Sequence, residues 1–466
     1  MDRRRRSIRR SVRRTLPAGV TALTLAALAR PVLAHGGSLG GAARESLSVP
    51  TWLMLATGGA VVGASFLLAS FVTDRSALDW LVERRRPVGL PGERTLRWAV
   101  GALGVVGLVG VVVTGFVGPT DPLSNPAVVI VWAGWWAGFA MSTYLVGNAW
   151  PALNPWRTIG AALPDLGRRY RWRFGAWPSV AGLLVLVWVE VVSPLADEPR
   201  VLALTVVAYS VVTLAGTVVY GPDTWFGAVD PVARVFRYYG AVAPVGRDAD
   251  GSLALRFPGA RLSTDLLDGV DEAAFVVALL WVTTFDGFVA TPAWRDLARG
   301  LVGLGFPPIL LYPGAMVAGF ALFFGVYLLA ARLSRRTAPT FVASATLARR
   351  FAPPLLAIAA GYHVAHFLGY FLSLTPALAA AVTAPLATVD PPLLVVPGWF
   401  GGVAIAGVLG GHLLGILAAH TTAFDLFPGR LQAIRSQYPF IAVMIFYTMA
   451  SLWIVTRPDV PLPYLP

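Results

Sequence analysis

Ten apolar stretches, each of about 20 residues, dominate this chain and limit what it can fold into. A helix of that length crosses the ~30 Å hydrocarbon core of a bilayer. The stretches cover 51–73, 96–118, 128–150, 175–196, 201–220, 272–291, 309–331, 352–375, 399–421 and 438–456. Charged residues make up only 13% of the chain, about half of the ~25% that is usual in soluble domains. The sequence therefore predicts an all-α, polytopic transmembrane helical bundle embedded in a lipid bilayer.

The amino terminus has the pattern of a cleavable export signal. Eight arginines lie between Asp2 and Arg14, and an apolar stretch follows from Leu16 to Ala29. Small residues at 32–34 then match a cleavage position. We expect residues 1–34 to be removed, so that His35 begins a single transmembrane domain that covers 35–466. An uncleaved anchor helix is the alternative interpretation of the same residues.

The distribution of arginine predicts the orientation of the bundle. All 37 basic residues are arginine, and the formal net charge is +13. After removal of the signal, 23 arginines fall in or beside one set of alternating loops and five in the other set. Cytoplasmic loops carry such an excess of positive charge. We therefore expect a multi-pass protein of the cell membrane with the mature amino terminus and the carboxyl terminus outside, and no nucleic-acid partner.

Two residue types are absent from the chain, and their absence limits its chemistry. Without lysine it has neither a Schiff-base nucleophile nor a lysine-bearing phosphate loop. Without cysteine it has no disulfide and no thiolate ligand. Any bound metal ion must therefore be held by imidazole nitrogen and oxygen atoms.

Ionisable side chains inside predicted spans are the candidate functional residues, because such groups are expensive to place in hydrocarbon. Glu190, Asp286, His363, His366 and His412 lie well inside a span, and His420 lies near the inner end of one. The three central histidines are expected at mid-depth, and the two carboxylates closer to the outside. His420 is expected near the inner surface, where an interfacial position is the simpler interpretation.

Several functions remain open for this set of residues. Two or three imidazoles with one or two carboxylates form the ligand set of zinc, iron or copper sites. We expect a divalent transition metal held by His366, His412 and Asp286, with contributions from His363 and His420, and with Asp286 and Glu190 as catalytic groups. Axial ligation of a b-type haem by His366 and His412 is an alternative. A proton or ion path and simple hydrogen bonds between helices are two others.

The inner loop at about 221–271 is the one loop long enough for structure of its own. Its first half has the pattern of an amphipathic helix lying in the membrane interface, although a plain connector is the simpler interpretation. Its second half predicts a turn at 248–251 followed by a short strand. The small residues of GGVAIAGVLGG, at 401–411, favour close packing of two helices.

Seven motifs resemble, in the same order, those of a family of prokaryotic membrane proteins known as fenitrothion hydrolase-like proteins. The motifs are AHGG (34–37), NPWRTIG (154–160), WVEVVSP (188–194), TTFDG (283–287), VAHF (364–367), GHLLGILAAH (411–420) and RSQYPFIAVMIF (435–446). The family's recurring polar positions match Glu190, Asp286, His366, His412 and His420. His363 departs from the family pattern, which has an apolar residue at that position.

The resemblance implies metal-dependent hydrolysis of apolar organophosphate esters that enter from the lipid. In that mechanism a metal-bound hydroxide attacks phosphorus, and a carboxylate serves as general base. Transport of a metal ion or a solute through the same residues is the rival function, and electron transfer by haem is another.

Overall fold

The computed structural model describes residues 63–64, 66, 84–89, 92–248, 250–387, 391–397, 399–455, 457 and 460–465. The predicted export signal, His35 and all but three residues of the first predicted span lie outside these ranges. The principal helices are α1 (Glu93–Val117), α2 (Pro126–Leu145), α3 (Trp177–Val192), α4 (Pro199–Tyr220), α5 (Pro231–Val242), α6 (Val270–Val289), α7 (Leu311–Thr337), α8 (Pro354–Ser373), α9 (Phe400–Leu426) and α10 (Arg430–Val455).

Eight helical segments in the described ranges are long and apolar enough to cross a membrane. They include α1, α2, α4 and α6–α10. Side chains of α1 such as Leu103, Val106 and Val109 are exposed, as expected for a surface that faces lipid. The protein is therefore a multi-pass, all-α membrane protein, which confirms the predicted fold class.

Helix α3 corresponds to the span expected at 175–196, but it is shorter. It has 16 residues, from Trp177 to Val192, or about 24 Å at 1.5 Å per residue. Pro178 fixes its first turn and Ser193 takes an extended conformation at its end. Its length falls below the ~20 residues that a full crossing requires, and the first expected span lies almost entirely outside the described residues, so the total of ten spans stays a prediction.

Helix α2 contains a rare irregularity. Residues Ile130–Phe139 form a π-helix, a conformation that occurs mostly as a short bulge and often at functional sites. Asn125 caps the start of α2 by accepting a hydrogen bond from the Ala127 N–H. After Leu145 the chain bends through short helices at Trp150–Leu153 and Pro155–Gly160.

Helix α5 lies inside the bundle, so the expectation of an interfacial helix or a plain connector at this point was wrong. Phe236, Tyr238 and Tyr239 are completely buried, and α5 packs against α2, α3 and α8. Its buried cation, Arg234, forms an ion pair with Glu272 at 2.6 Å. The apolar side of α5 thus contacts other helices rather than lipid. The ion pair compensates the charge of Arg234, which would otherwise oppose burial of α5.

A small antiparallel sheet joins two of the predicted inner loops. Its strands are β1 (Arg85–Val88), β2 (Val245–Arg247) and β3 (Leu253–Arg256), in the order β1-β3-β2. Strand β3 follows the turn expected at 248–251, which confirms the prediction of a turn and a short strand.

Helices α8 and α9 approach each other closely at glycines, as the small-residue pattern predicts. A Cβ atom on Gly361 would lie 2.5 Å from the carbonyl oxygen of Gly407 and 2.9 Å from the Cα of Gly411. His363 and His412 lie within two residues of this crossing point. Their side chains nevertheless bond to different neighbouring helices.

Short helices complete the connections. They cover Pro222–Thr224, Pro292–Gly303, Ser344–Phe351 and Thr375–Thr383.

Candidate functional site

His363 is bound within an aromatic cluster in the interior. Its Nδ1 lies 2.9 Å from the hydroxyl of Tyr144, and its ring contacts those of Trp136, Tyr239 and Phe367 at centroid distances of 5.6, 5.9 and 4.5 Å. Only 1% of the side chain is exposed. Among the described residues, no partner meets its Nε2 with good hydrogen-bond geometry. This environment fits a hydrogen bond between helices better than a metal ligand.

His412 uses both ring nitrogens within the bundle. Nδ1 lies 2.9 Å from the carbonyl oxygen of Val408, one turn earlier on α9. Nε2 lies 3.0 Å from the hydroxyl of Thr448 on α10. A metal ion would have to displace one of these contacts. His412 is therefore placed as a link between α9 and α10.

His420 is buried between α9 and α10, and its expected position near the inner surface stays a prediction. It is 1% exposed, and the side-chain amide of Gln437 donates a hydrogen bond to its Nδ1 at 3.2 Å. The same amide also donates to the carbonyl of Ala433. This contact is a second link between α9 and α10.

Glu190 and Asp286 lie near each other across the contact between α3 and α6. Their carboxyl groups are close enough to interact electrostatically, and both side chains are half-buried. The neighbouring Thr283 and Thr284 donate their hydroxyls to the carbonyl of Leu280, each at 2.9 Å. The threonine hydroxyls are thus used within their own helix.

Two further polar rings extend from the carboxyl pair toward the interior. Tyr362 lies near Asp286 and stacks on the ring of His366 at a centroid distance of 5.5 Å. His366 in turn interacts with His363. The polar row of Glu190, Asp286, Tyr362 and His366 therefore connects α3, α6 and α8, and it ends beside the aromatic cluster of His363.

The members of the polar row differ in depth. Glu190 lies two residues before the end of α3, and Asp286 lies three residues before the end of α6. His366 lies seven residues before the end of α8, or about 10 Å along that helix. This order agrees with the prediction that the carboxylates lie closer to the outside than the histidines do.

The predicted metal site is not assembled by these residues. In the described part of the chain, no three His, Asp or Glu side chains are grouped so that they could hold a metal ion. Glu190, Asp286 and His366 share one region, while His412 bonds to α10 and His420 to Gln437. The bonded nitrogens of His412 are equally unsuited to axial ligation of haem. A metal ion or a haem at these residues would therefore require the described hydrogen bonds to rearrange.

Four polar side chains in these contacts were not predicted: Tyr144, Tyr362, Thr448 and Gln437. Tyr362 precedes His366 by four residues, a spacing that brings side chains together on a helix. The contact between these two rings was therefore predictable from the sequence. The others lie on different helices from their histidine partners. Their pairing depends on helix rotation, which one sequence does not reveal.

Comparisons of the chain with protein-family models, with curated proteins and with solved structures find no match.

Proposed function

We propose that this protein is a proton-coupled membrane transporter in which Glu190 and Asp286 together bind the transported proton. The observation that carries the proposal is the proximity of these two carboxyl groups where α3 packs against α6. Ionisable residues within membrane spans commonly mark proton relays and ion pathways.

The chemistry of a carboxyl pair supports this role. Two neighbouring carboxylates repel each other, so a single shared proton stabilises the pair. Charged carboxylates within membrane spans are unfavourable, which increases the preference for neutralisation. When the pair loses or regains its proton, its net charge changes. This change can shift the equilibrium between two arrangements of α3 and α6.

Irregular helices near the interior also support transport. The π-helix Ile130–Phe139, the end of α2 at Leu145 and the internal helix α5 all lie close to His363. Interrupted helices at membrane depth are tolerated where they are buried in protein or line a cavity, and transporters use them to form substrate sites.

The polar row gives the proton a route from the pair toward the aromatic cluster of His363. Tyr362 and His366 carry exchangeable protons at successive positions along α8. Hydrogen-bonding side chains of this kind relay protons between carboxylates and deeper sites. In this role His366 moves a proton, whereas His412 and His420 stabilise the packing of α9 on α10.

Reconstituted vesicles provide the test. Proton uptake driven by an imposed membrane potential is measured with an internal pH-sensitive dye for the wild type, Glu190→Gln, Asp286→Asn and Glu198→Gln. Glu198 is an exposed carboxylate at the same predicted end of the bundle, so its variant controls for the change in charge. We expect both pair variants to reduce proton uptake to the level of protein-free vesicles, and the Glu198 variant to retain it.

A second assay on the same vesicles distinguishes transport from the organophosphate hydrolysis that the family resemblance implies. They are assayed in parallel with an apolar phosphotriester, with and without added zinc. Hydrolysis that depends on Asp286, together with background proton uptake in the wild type, would contradict the transport proposal and favour an enzyme.

A further inference from the structure

Three arginines converge on one face of the small sheet. Arg85 on β1 and Arg256 on β3 are paired in register. Arg261 follows in the turn Ala260–Ser263. A Cβ atom built on Gly246 of β2 would lie 3.2 Å from Nη1 of Arg261 and 3.6 Å from Nη1 of Arg256. The guanidinium groups of Arg256 and Arg261 therefore approach the same point above β2.

The carboxylates beside this arginine cluster do not balance its positive charge. Asp248 forms ion pairs with Arg256 and, at 3.5 Å, with Arg85. Asp250 accepts two hydrogen bonds from Ser252 and interacts only weakly with Arg85. Within the described ranges, Arg261 has no carboxylate and no hydrogen-bond acceptor. The cluster therefore keeps an excess of positive charge.

Burial makes this excess costly. Side-chain exposure is 12% for Arg256 and 15% for Asp248, and Arg261 is half-buried. Burial lowers the pKa of the Arg261 guanidinium, and burial together with the nearby Arg261 and Arg85 lowers the pKa of Arg256. Arginine nevertheless remains protonated in proteins. A partly buried cation without a partner is unfavourable, so an additional anion would stabilise the cluster.

We propose that Arg85, Arg256 and Arg261 form a binding site for a phosphate group. Guanidinium groups bind phosphate through two parallel hydrogen bonds, which favours arginine at phosphate sites. Gly246 keeps the approach open, because any side chain there would meet the two guanidinium groups. Phosphate in this position would neutralise Arg261 without displacing Asp248.

A phospholipid headgroup is one source of the phosphate, and the position of the sheet favours it. Arg247 of β2 forms an ion pair with Glu93, the first residue of α1. Trp98, one turn later, is 71% exposed, as is common for tryptophan at the level of lipid headgroups. The sheet is thus held beside the start of a helix that faces lipid. A soluble phosphate compound is the other source.

The test compares lipid retention with binding of free phosphate. Purified protein is exchanged into detergent containing phosphatidylglycerol or phosphatidylcholine, and retained lipid is counted by native mass spectrometry. Inorganic phosphate is titrated in parallel, with chloride as the reference, and the thermal midpoint is recorded. The proteins are the wild type, Arg261→Gln, Arg85→Gln and the control Arg168→Gln, which alters an exposed arginine in another predicted inner loop.

We expect Arg261→Gln to weaken binding roughly tenfold, since a charge-assisted hydrogen bond contributes about that factor. Arg85→Gln should act in the same direction. It changes a side chain that is 66% exposed, so it is expected to fold even if the Arg261 variant does not. Arg168→Gln should bind as the wild type does.

Selective retention of phosphatidylglycerol identifies a headgroup as the ligand, and stabilisation by inorganic phosphate alone identifies a soluble one. The proposal is overturned if the wild type prefers neither phosphatidylglycerol to phosphatidylcholine nor phosphate to chloride. It is also overturned if Arg85→Gln and Arg168→Gln bind equally well.

Discussion

The hydroxyl of Tyr144 on α2 lies 2.9 Å from Nδ1 of His363 on α8. This contact joins the helix that contains the π-helical segment to the helix that carries the polar row. Because both side chains are buried, the contact is shielded from water and fixes the rotation of α8. It therefore orients His366, one turn further along the same helix.

Replacing Tyr144 with Phe should lower the free energy of unfolding by about 1 kcal/mol, because Nδ1 of His363 then loses its partner in the interior. Tyr370→Phe is a matched control, since its hydroxyl is buried with no hydrogen-bond partner in the described structure. That change should be neutral or slightly stabilising. Thermal unfolding in detergent measures both variants, and equal losses would show that the Tyr144 contact has no specific effect.

Arg234→Met should lower the free energy of unfolding by about 3 kcal/mol, because it removes the buried cation of Glu272 and leaves this carboxylate with only the more exposed Arg237. Arg234 is only 3% exposed, while Arg237, which binds the same oxygen of Glu272, is 43% exposed. Arg237→Met should lower it by at most about 1 kcal/mol. Chemical unfolding of both variants checks the difference, and a larger effect at Arg237 would contradict the burial of α5.

The stability of the protein should fall as pH rises from about 4 to about 6, through Asp230. Burial raises the pKa of this carboxyl from 3.8 to about 6, although it accepts hydrogen bonds from the Ala233 N–H and the Tyr209 hydroxyl. The folded state therefore binds the proton more tightly than the unfolded state does. Its stabilising effect is complete below pH ~4 and is lost as pH rises through ~6.

The shift of about two pH units corresponds to about 3 kcal/mol. In Asp230→Asn this contribution should be absent, since asparagine can still cap α5 without titrating. Unfolding of both proteins between pH 4 and 7 measures the difference between their pH profiles. Parallel profiles would rule out Asp230 as the source.

The absence of cysteine allows a clean test of orientation. Leu304 and Phe341 are both highly exposed, at 87% and 106%, and they lie at opposite ends of α7. In intact cells, a membrane-impermeant maleimide should label Leu304→Cys and leave Phe341→Cys unlabelled, and disruption of the membrane should expose both. The reverse pattern would overturn the orientation predicted from arginine.

The sequence predicts the spans well because hydrophobic length is a local property. Its estimates for α6 and α8 differ from the observed helices by about two residues at each end. The burial of α5 was harder to predict. An amphipathic helix presents the same pattern of residues to lipid as to protein, and only the pairing of Arg234 with Glu272 distinguishes the two environments.

The sequence predicts how far along its span each candidate residue lies, but not the direction in which its side chain points around the helix. Positions along the spans place Glu190 and Asp286 at one level and His412 at another. They do not reveal that the ring of His412 bonds to Thr448 on α10, while His366 lies with the carboxyl pair. Helix packing determines these directions, and residues distant in the sequence contribute to it.

The central claim is that Glu190 and Asp286 share one proton inside the membrane. Infrared spectroscopy of the purified protein detects the carbonyl stretch of a protonated carboxyl group, and a measurement at about pH 8 leaves most exposed carboxylates and Asp230 ionised. The account predicts one such band in the wild type and in Glu198→Gln, and its loss in the double variant Glu190→Gln/Asp286→Asn. A wild type without the band, or a double variant that keeps it, would contradict the account.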